Sequence, residues 1–146
     1  MLTRFSDDGV TIAFNHGEAN AFEKDFVDPS KAGEDSLYVD DVDLAFYTGH
    51  ASGGGIAFST QEAGQFLFYD EVLWGNQDLE WLIIAACGPL QDEYLGQSWS
   101  QRWGLAFDGL HMIAAYSTVT YDNYHEGALV ADYLLGYHFL CVWLGF

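Results

Sequence analysis

Six apolar residues in an unbroken row, Trp81-Leu82-Ile83-Ile84-Ala85-Ala86, run into Cys87 and stop at Gly88-Pro89. So short a row, rich in bulky aliphatics, predicts a strand buried on both faces of a parallel sheet. Gly88-Pro89 ends that strand and leaves Cys87 at its carboxyl edge, where open α/β sheets place their ligands. A cysteine in that position is either a small core residue, as free cysteines commonly are, or a nucleophile.

Other stretches surround this strand with similar elements. Residues 9–14, Gly-Val-Thr-Ile-Ala-Phe, read as a first strand between two turns. In the polar segment 18–36, Ala21, Phe22, Phe26 and Val27 are spaced for one face of a short helix ending before Pro29. Residues 42–48 predict a second strand, running out at Gly49-His50 and a glycine-rich turn, with 56–58 and 66–69 as a small hairpin covering that turn. Trp99, Arg102, Trp103, Ala106 and Leu110 sit on helical spacing within 97–110, residues 112–117 read as a fourth strand, and 126–135 again look helical. Strands alternating with helices predict an α/β fold, a three-layer α/β/α sandwich around a mostly parallel sheet. The 146 residues suffice for one domain with a real core and are short for two, so 1–146 is expected to be a single domain.

Charge narrows the partners. Four Lys+Arg stand against 22 Asp+Glu, a formal net charge of −18. Nucleic acid and anionic membrane surfaces are repelled by such a face. Scarce lysine with dense carboxylate predicts a halophilic protein; the rival reading is an acidic pocket for basic substrates. Residues 1–8 lack the apolar core of a signal peptide, and no stretch nears the ~20 apolar residues of a membrane span, so a cytoplasmic protein of a halophilic organism is expected. The two cysteines, Cys87 and Cys141, make no disulfide framework. The apolar end Phe139 to Phe146 is expected to be buried, to cover a partner subunit in a homo-oligomer, or to mark a chain cut short.

Two predicted strands thus end in chemically capable side chains, His50 and Cys87. If the strands are parallel neighbours, about 4.8 Å apart, both side chains emerge at one edge of the sheet. A cysteine nucleophile and a histidine acid/base require that geometry.

Residues 42–50, ending in Thr48-Gly49-His50, and 82–88, ending in Ala86-Cys87-Gly88, resemble the two blocks of the caspase-like cysteine peptidases (caspases, legumain, gingipains, clostripain, separase). Residues 103–118, where Phe107-Asp108-Gly109-Leu110-His111 precedes an apolar strand, extend the resemblance more loosely. The pattern also looks like a gingipain-related domain family without an assigned function. The resemblance implies a caspase-like sheet and a peptide or protein substrate. It makes Cys87 the nucleophile of a thioester acyl-enzyme and His50 the acid/base that protonates the leaving amine. It assigns the oxyanion hole to the backbone amides of Ala51 and Cys87. The family usually has glycine directly after the histidine; here Ala51 takes that place, and a positive φ there would cost about 1 kcal/mol or more. Asp122 is a candidate for recognising a basic substrate side chain, its plainer reading being a surface acid.

Two further functions stay in view. One is a catalytically inactive domain of the same fold used for binding or assembly. The other is a metal-dependent hydrolase, since His16, His50, His111, His125 and His138 stand among many carboxylates. The sequence holds no H-E-x-x-H and no close histidine pair, so no cofactor is expected and nothing in it indicates calcium. Ser52 and Ser98 lack the glycines of a nucleophile elbow, and His111 and Tyr116 flank a strand as packing or supporting groups.

Overall fold

Strands β1 (Leu44–Thr48), β5 (Trp81–Ala85) and β8 (Met112–Ala115) form a three-stranded sheet in the order β1-β5-β8, parallel throughout. The strand ending at the cysteine is therefore the middle one. A second, antiparallel sheet carries β2 (His50–Ser52), β3 (Gly55–Ala57) and β4 (Phe66–Phe68). A third is the two-stranded ribbon of β6 (Glu93–Tyr94) and β7 (Gln97–Ser98). This computed structural model describes residues 2–59, 64–121 and 125–136. Its architecture is mixed α/β.

The chain divides into two compact units, residues 16–120 and residues 1–15 with 121–146. All three sheets belong to the larger unit. In the smaller one, α1 (Leu2–Asp7) and α3 (Glu126–Leu134) are joined by the ion pair of Arg4 Nη1 with Asp132 Oδ1, 2.9 Å apart. The helix expected over 126–135 is α3. Among the described residues no helix is long and apolar enough to cross a membrane.

Side chains alternate along β5. Leu82 and Ile84, with Ala86 just beyond the strand, are fully buried, whereas Trp81 is 42% exposed and Ile83 and Ala85 are half-buried. The expectation of burial on both faces is corrected to burial on one. Ala45 and Tyr47 of β1 continue the buried face into a core with Ile56, Leu67, Trp74 and Trp103. The two indoles stack at 5.9 Å and each N–H donates to a main-chain carbonyl, Phe26 O for Trp74 and the buried Pro89 O for Trp103. Those bonds satisfy the polar end of each ring and fix its orientation.

Three expectations fail. No strand forms over 9–14: Val10 and Ile12 are exposed, and β-propensity without a neighbouring strand does not make a ladder. In place of the short helix expected before Pro29 there is a single 3-10 turn at Glu23–Asp25, followed by two more at Pro29–Lys31 and Asp35–Leu37. Asp28, in an extended conformation, caps the turn at Pro29 by accepting the Ser30 amide, and Ala32 ends that turn in the left-handed region at φ 67°. The helix expected over 97–110 is α2 (Trp99–Trp103) followed by one 3-10 turn. Beyond that turn the chain pairs with Trp74: Trp74 N donates to Ala106 O, and Asp108 N and Leu110 N donate to Trp74 O. Ladder bonds of that kind are incompatible with a continuing helix.

Candidate active site

The register of the central pair decides what meets at the carboxyl edge. Leu44 pairs with Trp81, Phe46 with Ile83 and Thr48 with Ala85. Counting two residues on along each strand reaches His50 on one side and Cys87 on the other. The chain leaves the ladder on both sides, bending at Gly49 and at Ala86, whose amide donates to Ile84 O, so the register fixes only where each departure begins.

Cys87 is half-buried with a free thiol, and its Sγ lies 3.5 Å from the carbonyl of Thr120. Gly88 turns the chain at φ +66°, a conformation that favours glycine. Its amide donates to Thr118 O at 3.0 Å, and the Leu90 amide donates to Tyr116 O. The segment leaving β8 thus runs beside the cysteine turn and holds it. Among the described residues no acceptor is found for the Cys87 amide.

His50 is exposed and opens β2. Only Gly49 separates β1 from β2, so the chain bends sharply there. The buried Tyr47 hydroxyl anchors the bend against the carbonyls of His50, at 3.2 Å, and Ala57. Burial pushes the Tyr47 phenol up to about 12, which leaves it a neutral donor at ordinary pH.

Ala51 does not take a positive φ; it is a strand residue paired with Ile56. The strain expected from its Cβ is absent. Ser52 and Gly55 close a two-residue hairpin and so form a hydrogen-bonded pair. Alternation then makes Ala51 and Ile56 a non-hydrogen-bonded pair, and the Ala51 amide points away from β3.

Gln91 packs against both halves of the site. A Cβ built on Gly53, at the tip of the β2–β3 hairpin, meets the Gln91 Cδ at 2.8 Å, and one on Gly88 meets its Oε1 at 3.2 Å. The histidine hairpin and the cysteine turn therefore rest on one side chain. Arg102 fixes the far end of that turn. It is fully buried, and its guanidinium donates to the carbonyls of Pro89, Gln91 and Gln97. Burial holds its pKa below the ordinary value, with Tyr69 and Tyr94 opposing the shift.

A cleft of about 430 Å³ lies next to the hairpin tip, lined by Gly54, Phe68, Tyr69, Asp70, Glu71, Tyr94 and Leu95. The size suits a small ligand or side chain, and the lining combines aromatic rings with two carboxylates.

The remaining predicted groups lie elsewhere. Asp122, His138, Cys141 and the apolar end 139–146 fall outside the described residues. His111 sits at the amino end of β8, its Nδ1 against the Glu80 carboxylate. His16 lies 3.6 Å from Asp25 and edge-on to Tyr38. Gln91 and Arg102 carry no sequence signal for their roles, because both act on main-chain atoms that every residue possesses. A usable hint was that Arg102 is one of only four Lys+Arg in the chain.

Fold and edge together define a mixed α/β protein with a thiol and an imidazole at the carboxyl ends of adjacent parallel strands. The chain matches the family described as a domain of unknown function (DUF6345) over residues 1–142, and it belongs to that family. No curated protein and no solved structure matches it.

Proposed function

We propose that the chain is a caspase-like cysteine endopeptidase, its parallel sheet the centre of a three-layer sandwich. The reading is carried by one observation, the register that sets His50 and Cys87 each two residues beyond the Thr48–Ala85 pair. Cys87 gives its proton to His50 as its sulfur attacks the scissile carbonyl of a peptide. The carbonyl oxygen takes the negative charge, and the outward amide of Ala51 and the amide of Cys87 are the donors for it. His50 gives a proton to the departing amine as the C–N bond breaks, leaving a thioester. Water, giving a proton to His50, then attacks the thioester; the C–S bond breaks, His50 returns the proton to the sulfur, and the carboxylic acid product leaves.

A second reading, an inactive domain of the same fold serving in binding or assembly, draws on the Cys87 contact with Thr120 O. A carbonyl acceptor stabilises the protonated thiol, whereas attack requires the thiolate. Labelling with a thiol-directed peptidyl probe separates the two. Rapid modification of Cys87 that slows in His50→Ala supports the peptidase; equal, slow labelling of both proteins removes it.

A further inference from the structure

The cleft beside the β2–β3 hairpin tip has walls of two kinds. Phe68, Tyr69, Tyr94 and Leu95 present apolar surface, and Asp70 and Glu71 bring carboxylates to the same space of about 430 Å³. Phe68 is 49% exposed and Leu95 86% exposed, so much of this apolar surface faces solvent.

The walls are braced from behind. The Tyr69 hydroxyl donates to Gln97 Oε1 at 2.7 Å, and the Tyr69 amide donates to Gly54 O at 3.3 Å. Tyr94 lies against the hairpin tip, where a Cβ added at Gly53 or Gly54 would come within 2.6 or 3.1 Å of its side chain. The Arg102 guanidinium sits 5.9 Å from the centre of the Tyr94 ring. Arg102 also holds the loop after Cys87, so one side chain supports both the cysteine turn and a wall of the cleft. The carboxylates leave β4 in a tight turn: Glu71 Oε2 accepts the Phe68 amide at 2.8 Å, and the Glu71 amide donates to Phe68 O at 3.0 Å. Walls already ordered lose little freedom when a ligand enters.

The charge of the cleft is not balanced from within. Among the described residues no Lys, Arg or His side chain lines it, and neither Asp70 nor Glu71 forms an ion pair. The Lys31 ammonium reaches only the main chain there, at Asp70 O. The buried Glu23 carboxyl is pushed up by its burial and then by Glu71, so the charge facing that side chain is a further negative one.

We infer that this cleft binds a guanidinium or alkylammonium group, and that its occupant is a basic side chain of the peptide attacked by Cys87. The rings and Leu95 cover the alkyl stem, a ring face attracts the cation, and Asp70 and Glu71 accept its N–H donors. A neutral apolar side chain would leave the carboxylates partly desolvated without a partner, and an acidic one would add repulsion. Strand β2 carries the chain from His50 to the hairpin tip, about 10 Å, and an extended peptide spans that in about three residues. The cleft therefore reads a side chain about three residues from the bond that is cleaved. Its role as a subsite rests on the peptidase reading; its binding of the cation does not.

Amide NMR titration of the full chain, in the lowest salt at which it stays folded, compares N-acetyl-arginine amide with its neutral isostere N-acetyl-citrulline amide. The arginine compound should shift the amides of Gly54, Tyr69 and Tyr94 saturably, and the citrulline compound should not. Asp70→Asn and Glu71→Gln should each weaken binding about fivefold, as loss of an exposed charge pair does. The exposed control Asp78→Asn should leave it unchanged. Equal responses to the two compounds, unsaturable shifts spread over the acidic surface, or unchanged binding in both cleft variants overturns the site. The subsite is read separately, with peptidyl thiol probes carrying arginine or citrulline at successive positions before the reactive group. Faster labelling of Cys87 for arginine at one position beyond the first, lost in Glu71→Gln, supports it. Rapid labelling indifferent to arginine at every such position overturns the subsite and leaves the peptidase reading standing. Cation binding that persists in Cys87→Ala, with no probe labelling of the wild type, removes the peptidase reading and the subsite with it, and upholds the cation site.

Discussion

Thr48 and Ala85 are the last register partners of β1 and β5, and beyond them the two strands part company. β1 bends at Gly49 into the antiparallel hairpin that starts with His50, while β5 turns at Gly88 under the segment leaving β8. The sheet fixes where each departure begins. What each side chain does next depends on anchors outside the ladder: Tyr47 for the histidine side, Thr118 and Arg102 for the cysteine side.

Tyr47→Phe tests the first anchor. The hydroxyl is buried and serves the carbonyls of His50 and Ala57, so its removal takes one of the donors from these carbonyls, which remain a ladder pair of β2 and β3, while barely changing the packing. A loss of about 0.5–1.5 kcal/mol in urea unfolding is expected. Probe labelling of Cys87 should also slow, because the bend presenting His50 loosens. Unchanged stability would show that the hydroxyl is not an anchor.

Ala51→Gly addresses the residue that departs from the family resemblance. Ala51 occupies an ordinary strand conformation facing Ile56. Glycine there relieves no strain and adds chain entropy to the unfolded state, so stability should fall by roughly 0.5–1 kcal/mol. The Cys87 labelling rate should not increase. A faster rate in the glycine variant would mean that the alanine does obstruct the site.

Legibility followed the apolar runs. Residues 42–48, 80–86 and 112–117 each contain a strand, and the hairpin over 56–58 and 66–69 forms as β3 and β4, because bulky runs bounded by glycine and acid have few other uses. Their number of covered faces was not legible: Ile83 and Leu82 are equally apolar, and only tertiary packing separates the half-buried one from the fully buried one. Residues 18–36 misled for the opposite reason. With 22 acids in the chain, composition gives no sign that Asp28, Asp35 and Asp40 are interior groups rather than part of a hydrated surface. His50 and Cys87 could be read together because each ends an apolar run. Gln91, which packs on both of their turns, could not, because its neighbours there are glycines.

Arg102→Leu removes a buried guanidinium that has no carboxylate among its hydrogen-bond partners. Loss of the buried charge offsets part of the damage, but the carbonyls of Pro89, Gln91 and Gln97 are left short of donors at ~1 kcal/mol or more each. A net destabilisation of roughly 2–4 kcal/mol in urea unfolding is expected. Arg102→Lys should fall in between, because one ammonium cannot copy the planar fork. Stability equal to wild type in both variants would show that the loop after Cys87 is held by Trp103 and Thr118 alone.

The acid cluster sets a pH dependence whose sign can be worked out. Asp35 titrates near 3.8 when exposed and at about 7 in the folded chain, so between those values the folded state holds a proton that the unfolded state has lost. Stability from this group is complete below about pH 4, declines as pH rises and is gone above about 7. The total is on the order of 4 kcal/mol. Asp28 works in the opposite sense: burial resists it, yet hydrogen bonds from Ser30 and Asn76 hold its carboxyl below the usual range, so its contribution is lost only on acidification. Urea unfolding at constant ionic strength should therefore show stability falling from pH 5 to pH 7. Asp35→Asn, which has no proton to lose, should flatten that interval. A slope that survives in the variant would assign the titration to another group, with Glu23, whose carboxyl is raised by burial and by Glu71, the next to replace.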